Sequence, residues 1–503
     1  MTSLTLQHPH LPHCGVYGFD DLEPLIFAAL ITEDPLMLLG PSGTGKTYLL
    51  NTLSEVLGLE HRHYNASLVA FDDLVGFPFP DQEKGSVEFL QTPATIWGAQ
   101  SVLIDEISRC KPEHQNRLFA LIHERRIQGL PLTGLKYRWA AMNPPAADNQ
   151  SDEDYVGSEP LDPALADRFA LFIEAKDWKA LDETARAGIA NPAGEGQIAN
   201  DHGALTGALT AWQTDFQQAL TDVPQELLVY AKAATDALLE GGIRLSPRRV
   251  RLLVRSLLAA TIVSGEWSAT LAHQVLAASI PQVAWGVQIE TTPIQAAHEV
   301  AWAEAMELPE RWVFRFLHEK DLCKQLSWLD EAEHNQAFKS QAMIQLMSQV
   351  DRLSVQALAY VLTPTVMAGA FDLDAEAREA IAKIGSPILD VDETHHYTAP
   401  VSHQPAQGAP QLAKGVQALS HYHGPYKPQI KQFLIWASLH RPKADLNPWV
   451  EQLDQAFAWL AQRGAAQSPG TATLPAPEAT SHSADSDSGS GSDSDPHKEH
   501  AHA

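Results

Sequence analysis

Cysteine is almost missing: 503 residues contain three, Cys14, Cys110 and Cys323. Spaced so far apart, they fit neither a zinc cluster nor the disulfide framework of a small secreted domain, and a reducing compartment, the cytoplasm, is the expectation. Positive charge is scarce as well. Against 62 Asp+Glu stand 35 Lys+Arg, a formal charge of −27, and a general grip on nucleic acid depends on Lys/Arg displacing counterions. Nucleic acid is therefore not an expected partner, although a local basic patch stays open. Nowhere do about 18 uninterrupted apolar residues occur, so no membrane span is expected. The first residues, Met1 to Gln7, lack the basic segment and apolar core of an export signal. No repeat of fixed length is evident, which removes solenoids and propellers.

What is present is enough apolar material to build cores. Hydrophobic residues make up 45% and charged ones 19%, and the length exceeds what one core normally holds. From Tyr17 to about Ala175, short apolar runs alternate with helical patterns, the signature of an α/β unit with a mostly parallel sheet between helices. Four runs matter: Leu36 to Leu39, Val102 to Ile104, Tyr137 to Met142 and Phe169 to Ile173. After the first, Leu49, Leu50, Leu53 and Val56 recur at helical spacing. From about Leu205 to Trp285 the pattern is helical throughout. The expected organisation is a large α/β domain at 1–175, then an all-helical lid at 176–295 with a leading loop insertion around Asn191. A mostly helical region of unassigned role at 300–464 follows, broken by a polar span from His395 to Gly415. An acidic Ser/His-rich tail at 465–503 has too few apolar side chains to offset the entropy of ordering and is expected to be disordered. His8, His10, His13 and Cys14 carry metal-binding atoms, but the proline-broken terminal segment reads as a solvated arm, and no metal is assigned there.

Chemistry is concentrated in Gly40-Pro41-Ser42-Gly43-Thr44-Gly45-Lys46-Thr47, which satisfies G-x-x-x-x-G-K-[ST] between an expected strand and an expected helix. Glycines let successive N–H groups face inward as an anion-binding nest, to which the helix adds its positive end. Lys46 is then expected on the β- and γ-phosphates of ATP and the Thr47 hydroxyl on Mg²⁺. The run Val102 to Ile104 delivers Asp105 and Glu106 to the end of the strand where open α/β sheets bind ligands. A hard cation prefers carboxylate oxygen, so Asp105 suits Mg²⁺. Glu106 suits the task of orienting and deprotonating the attacking water.

These motifs, with Asp105-Glu106-Ile107-Ser108-Arg109, Gln115-Asn116, Glu124-Arg125, Asn143-Pro144 and Asp167-Arg168-Phe169 in that order, resemble the MoxR-type AAA+ ATPases over about residues 17–285. The family carries Asp-Glu-Ile-Asn-Arg where this chain has Ser108, and Asp73-Leu74-Val75-Gly76 is similar to its Asp-Ile-Thr-Gly. The resemblance implies two hairpins, one within Phe77 to Pro93 lining a ring pore, the other within Arg126 to Tyr137. It implies that Asn143 helps hold the attacking water and that Arg168 reaches a neighbouring subunit's γ-phosphate. Arg248, in Ser246-Pro247-Arg248, matches the lid arginine that touches phosphates in cis, with Arg249 and Arg251 as alternatives. An arginine supplied in trans implies a ring, most often a homo-hexamer in this class. It also implies a chaperone-like remodeller or activator of a protein client, beside a partner with a von Willebrand factor A domain. Two other readings stand beside it: a nucleic-acid-dependent motor, against which the charge balance argues, and an ATP-gated scaffold with little turnover, against which Glu106 argues.

Overall fold

A computed structural model describes residues 9–81, 86–110, 115, 118–144, 158–192, 201–287, 289–309, 311–331, 335–390, 419, 422–441 and 443–467. Contacts divide the chain into Met1–Arg315 and Phe316–Ala503.

In the first unit, α1 (Glu23–Thr32) precedes β1 (Leu36–Leu39), and the loop after β1 enters α2 (Lys46–Val56). Then come β2 (His61–Asn65), α3 (Phe71–Val75), β3 (Phe77–Asp81), β4 (Ser86–Leu90) and β5 (Ser101–Asp105). A small pair, β6 (Arg126–Ile127) and β7 (Leu130–Pro131), leads to β8 (Tyr137–Met142), α4 (Pro163–Ala166) and β9 (Leu171–Glu174). Five strands form one parallel sheet in the order β2-β5-β8-β1-β9. Strands buried on both faces read as continuous apolar runs, and the central β1 and β8 are buried at every position. Alternation then splits each strand between two cores. Leu36, Leu38, Trp139, Ala141, Leu171 and Ile173 join one cluster, and Met37, Leu39, Ala140, Met142 and Phe172 the other. The strands run parallel, so all five chain exits lie along one edge, which is where the loop after β1 emerges.

Helices α5 (Glu183–Ala190), α6 (Ala204–Ala219), α7 (Gln225–Glu240), α8 (Pro247–Ser264), α9 (Ala269–Ala278) and α10 (Thr291–Ala305) follow β9. Those from α6 to α10 share the first core with the sheet and with α1. The two antiparallel hairpins also form: β3 with β4, Phe77 opposite Leu90, and β6 with β7. Phe77, Phe79 and Leu90 are about 60% exposed (59, 66 and 60%), which leaves the first hairpin with an apolar exposed face.

The segment read as a solvated arm is instead packed. Leu11 and Cys14 are fully buried, and the His10 ring meets Phe27 and Trp212 edge-on at 5.9 and 5.8 Å. The sequence reading weighed prolines and polar side chains and could not see that Leu11 N–H donates to the buried Glu23 carboxylate at 2.6 Å. Burial pushes the Glu23 carboxyl up to about 7.

The second unit is helical in its described part. α11 (Arg311–His318) spans the division between the units, and α12 (Leu322–Asp330), α13 (Gln336–Met347), α14 (Leu353–Met367), α15 (Ala375–Leu389), α16 (Lys427–His440) and α17 (Asn447–Gln467) follow. α14 and α15 each carry an internal proline, Pro364 and Pro387. α17 runs three residues past Gly464, into the stretch expected to be a disordered tail. The rest of that tail, and the polar span from His395 to Gly415, lie outside the described residues.

Candidate nucleotide-binding site

β1 ends at Leu39, and the chain turns through Gly43 and Gly45, both left-handed with φ of 81° and 83°, before α2 begins at Lys46. A side chain rarely adopts that conformation, which accounts for glycine at both positions. Lys46 is 7% exposed. Its Nζ donates to Gly40 O and Pro41 O, both at 2.7 Å, and to Asn143 Oδ1 at 3.3 Å. Burial lowers its pKa to about 8, against the pull of Asp105. An ammonium held on neutral carbonyl oxygens is poised for an anion. Asn143 reaches it because β8 lies beside β1, Met142 opposite Leu39.

One residue on, Thr47 Oγ1 donates to Asp105 Oδ2 at 2.9 Å, although 58 residues separate them. Asp105 Oδ1 accepts the Glu106 N–H at 2.9 Å. Burial would raise the Asp105 carboxyl, but hydrogen bonds from His63, Thr47 and the Glu106 amide outweigh it and hold the group below the usual carboxylate range. A hydroxyl beside an ionised carboxylate is a hard-oxygen donor pair, and it fits Mg²⁺. Glu106 takes φ of 52°, a conformation that costs a bulky residue about 1–3 kcal/mol and clusters at functional sites. Its Oε2 accepts from Asn65 Nδ2 at 3.0 Å.

Asn65 belongs to a stripe that sequence reasoning missed. His61, His63 and Asn65 alternate along β2 and so share a face. His61 bonds Asn51, Ser54 and Ser101, and burial drops its pKa to about 4, so it stays neutral. His63 Nε2 lies 3.3 Å from Asp105 Oδ2, and Asn65 holds Glu106. Three polar side chains at period two were the available signal.

A cavity of about 580 Å³ adjoins the glycine loop, lined by Val16, Tyr17, Gly18, Ser42 to Gly45, Tyr48, Trp178 and Ile189 among others. The Tyr17 ring lies on α5 at Gly188, where a Cβ would come within 2.6 Å of it. Aromatic and apolar walls next to an anion nest have the dimensions and chemistry for a nucleoside attached to phosphates. These wall residues come from segments some 170 positions apart, and no local pattern in the sequence marks them.

Lys46, Thr47, Asp105, Glu106 and Asn143 are thus brought together. Neither these five nor Arg168 and Arg248 are among the described residues lining that cavity. Gln115 bridges Cys110 O and the Asp162 N–H at 3.1 Å each, and the Asp162 side chain caps α4 through Ala164 N–H at 2.7 Å. That fixes the turn carrying Arg168. Its guanidinium lies 4.5 Å over the Phe119 ring and donates to Ala164 O. Arg248 donates to Asp167 Oδ2 at 2.8 Å, and Ser246 Oγ to Asp167 Oδ1 at 2.8 Å. Burial, then Arg248 and Arg168 together, lower the pKa of His123, so the two guanidiniums stand in one positive cluster. Arg248, expected from the resemblance to touch phosphates in cis, is held here by Asp167.

Arg249 has a different fate. It is 1% exposed and donates to Phe169 O, Ala170 O and Ser279 O, fastening α8 to the start of β9 and the end of α9. Arg251 is exposed. Of Arg248, Arg249 and Arg251, Arg249 is spent inside the core.

The parallel sheet with its flanking helices is an AAA+ α/β fold, and residues 35–169 match the family model described as "AAA domain (dynein-related subfamily)". The chain is similar to the uncharacterized protein YojN of Bacillus subtilis, 32% identical over 167 residues, or 31% of this chain and 54% of that one. An uncharacterized protein of Staphylococcus epidermidis is 35% identical over 143 residues, 27% of this chain and 53% of that one. The chain therefore spans about half the length of the curated relatives it matches. A solved structure from Cytophaga hutchinsonii overlaps 59% of this chain and 92% of its own, at 19% identity and a TM-score of 0.43.

Proposed function

We propose that this chain binds ATP in the cavity beside the glycine loop and hydrolyses its terminal phosphate. The observation that carries the reading is the continuous set of contacts Asn143–Lys46 and Thr47–Asp105–Glu106 at one sheet edge. The base and ribose lie against Tyr17, Tyr48 and Trp178, and the phosphates enter the amide nest. Lys46 exchanges carbonyl oxygens for phosphate oxygens, a charge-assisted bond in place of neutral ones. Thr47 and Asp105 would hold Mg²⁺, which offsets phosphate charge when bound. Glu106, aimed by Asn65, takes the proton of the attacking water, and Asn143 orients that water beside the γ-phosphate.

Arg168, in the positive cluster it forms with Arg248, serves the nucleotide of a neighbouring copy. A guanidinium there stabilises charge developing on the transferred phosphoryl group. That requirement favours a closed ring, in keeping with the MoxR-type resemblance. The exposed apolar face of the β3–β4 hairpin is the surface offered to a protein client. On this reading the protein is a MoxR-type remodelling ATPase, working with a von Willebrand factor A domain partner.

Phosphate release by full-length protein tests the core of the proposal. Glu106→Gln should retain nucleotide binding while turnover falls about 10²–10⁴-fold, and Lys46→Ala should lose binding itself. Unchanged hydrolysis in Glu106→Gln would remove the base assigned here.

A further inference from the structure

His63 is a histidine at a position where an edge strand needs none. His61, two residues before it, is buried and its ring nitrogens are engaged by α2 and β5. His63, on the same face, has a side chain 37% exposed, and among the described residues its hydrogen bond goes to Asp105 Oδ2 at 3.3 Å. That oxygen also accepts Thr47 Oγ1, while Oδ1 is held by the Glu106 amide. The carboxylate plane is therefore set from three sides: a main-chain donor on one oxygen, a hydroxyl and an imidazole on the other. Two of these donors belong to the site whatever else the chain does, since one is Thr47 and the other is backbone. The third is supplied by β2.

From this geometry we infer that His63 is a positioning residue that orients Asp105 for the divalent cation from the outer shell, without ligating the cation itself. The inference rests on the nucleotide reading above. If Thr47 and Asp105 held a divalent cation, the Thr47 hydroxyl would no longer be free to donate to Asp105 Oδ2. The carboxylate then keeps its orientation through His63 Nε2–H and the Glu106 N–H. Outer partners of this kind are worth about 10–100-fold in metal affinity. Gln carries a side-chain N–H the same number of bonds from Cα as His Nε2, so it can replace the donor, whereas Ala and Leu cannot.

The test is Mn²⁺ titration of the full-length protein loaded with ADP, read from the loss of the free-Mn²⁺ paramagnetic resonance signal. His63→Ala should weaken Mn²⁺ binding about ten-fold, His63→Gln should recover most of it, and metal-free ADP affinity should be equal in all three proteins. Should His63→Ala not fold, His63→Leu against His63→Gln makes the same comparison. Unchanged Mn²⁺ affinity without the imidazole overturns the inference, as does an equal loss in the Gln and Ala variants. A directly bound nitrogen in the wild-type Mn²⁺ hyperfine spectrum, absent from His63→Ala, overturns it too by making His63 a ligand. Wild-type protein that holds ADP but no Mn²⁺ also overturns it. If wild type binds no ADP, the nucleotide reading itself fails, and this inference with it.

Discussion

Two regions of the first unit concentrate charged side chains, and they are built in opposite ways. At the sheet edge beside the glycine loop, Lys46, Thr47, Asp105, Glu106 and Asn143 are already joined to one another inside one chain. Around α4 and the start of α8, Arg168 and Arg248 gather positive charge about Asp167 and His123. The first region is joined within the chain, and the second, on the function proposed above, serves the nucleotide of a neighbouring copy.

Breaking the second region should show first in rate. Arg168→Ala should cut turnover about 10³-fold, close to 4 kcal/mol in activation free energy, with nucleotide affinity unchanged. Mixing it with Lys46→Ala subunits should restore part of the phosphate release, since some interfaces then draw one intact half from each copy. No recovery at any ratio, with assembly verified by light scattering, counts against a shared site. Next in size comes stability. Arg249→Met strips three buried carbonyls of their donor and should cost about 3 kcal/mol, seen as a lowered denaturation midpoint. Smallest is the stability effect of Arg248→Met, less than about 1 kcal/mol because its ion pair with Asp167 is 40% exposed on the arginine side. Turnover of that variant should nevertheless fall. Equal stability losses at 248 and 249 would erase the distinction between the two arginines.

Much of the first region was legible in the sequence, and the reason is locality. The glycine loop is eight consecutive residues, and Asp105-Glu106 ends an apolar run, so strand, turn and chemistry are read together. Asn143 follows another such run. The walls of the cavity were not legible, because Tyr17, Tyr48 and Trp178 meet only after the sheet has ordered its strands. Nor was the β2 stripe, whose alternation of His61, His63 and Asn65 looks like the solvated side of an edge strand until Asp105 and Glu106 are seen opposite. The lid arginines show the limit most sharply. Arg248 and Arg249 are chemically identical neighbours, and only the helical turn of α8 decides that one enters the core while the other meets Asp167. In the second unit, Pro364 and Pro387 would by local rules break helices, yet α14 and α15 continue through them.

Asp167 has a consequence of its own. One carboxylate grips both the cap of α8 and the arginine two residues along, and the very next residue in the chain is Arg168. A shift of α8 therefore pulls on Asp167 and with it on Arg168, and in the ring proposed above that would tie the position of α8 in one copy to the nucleotide of the copy beside it.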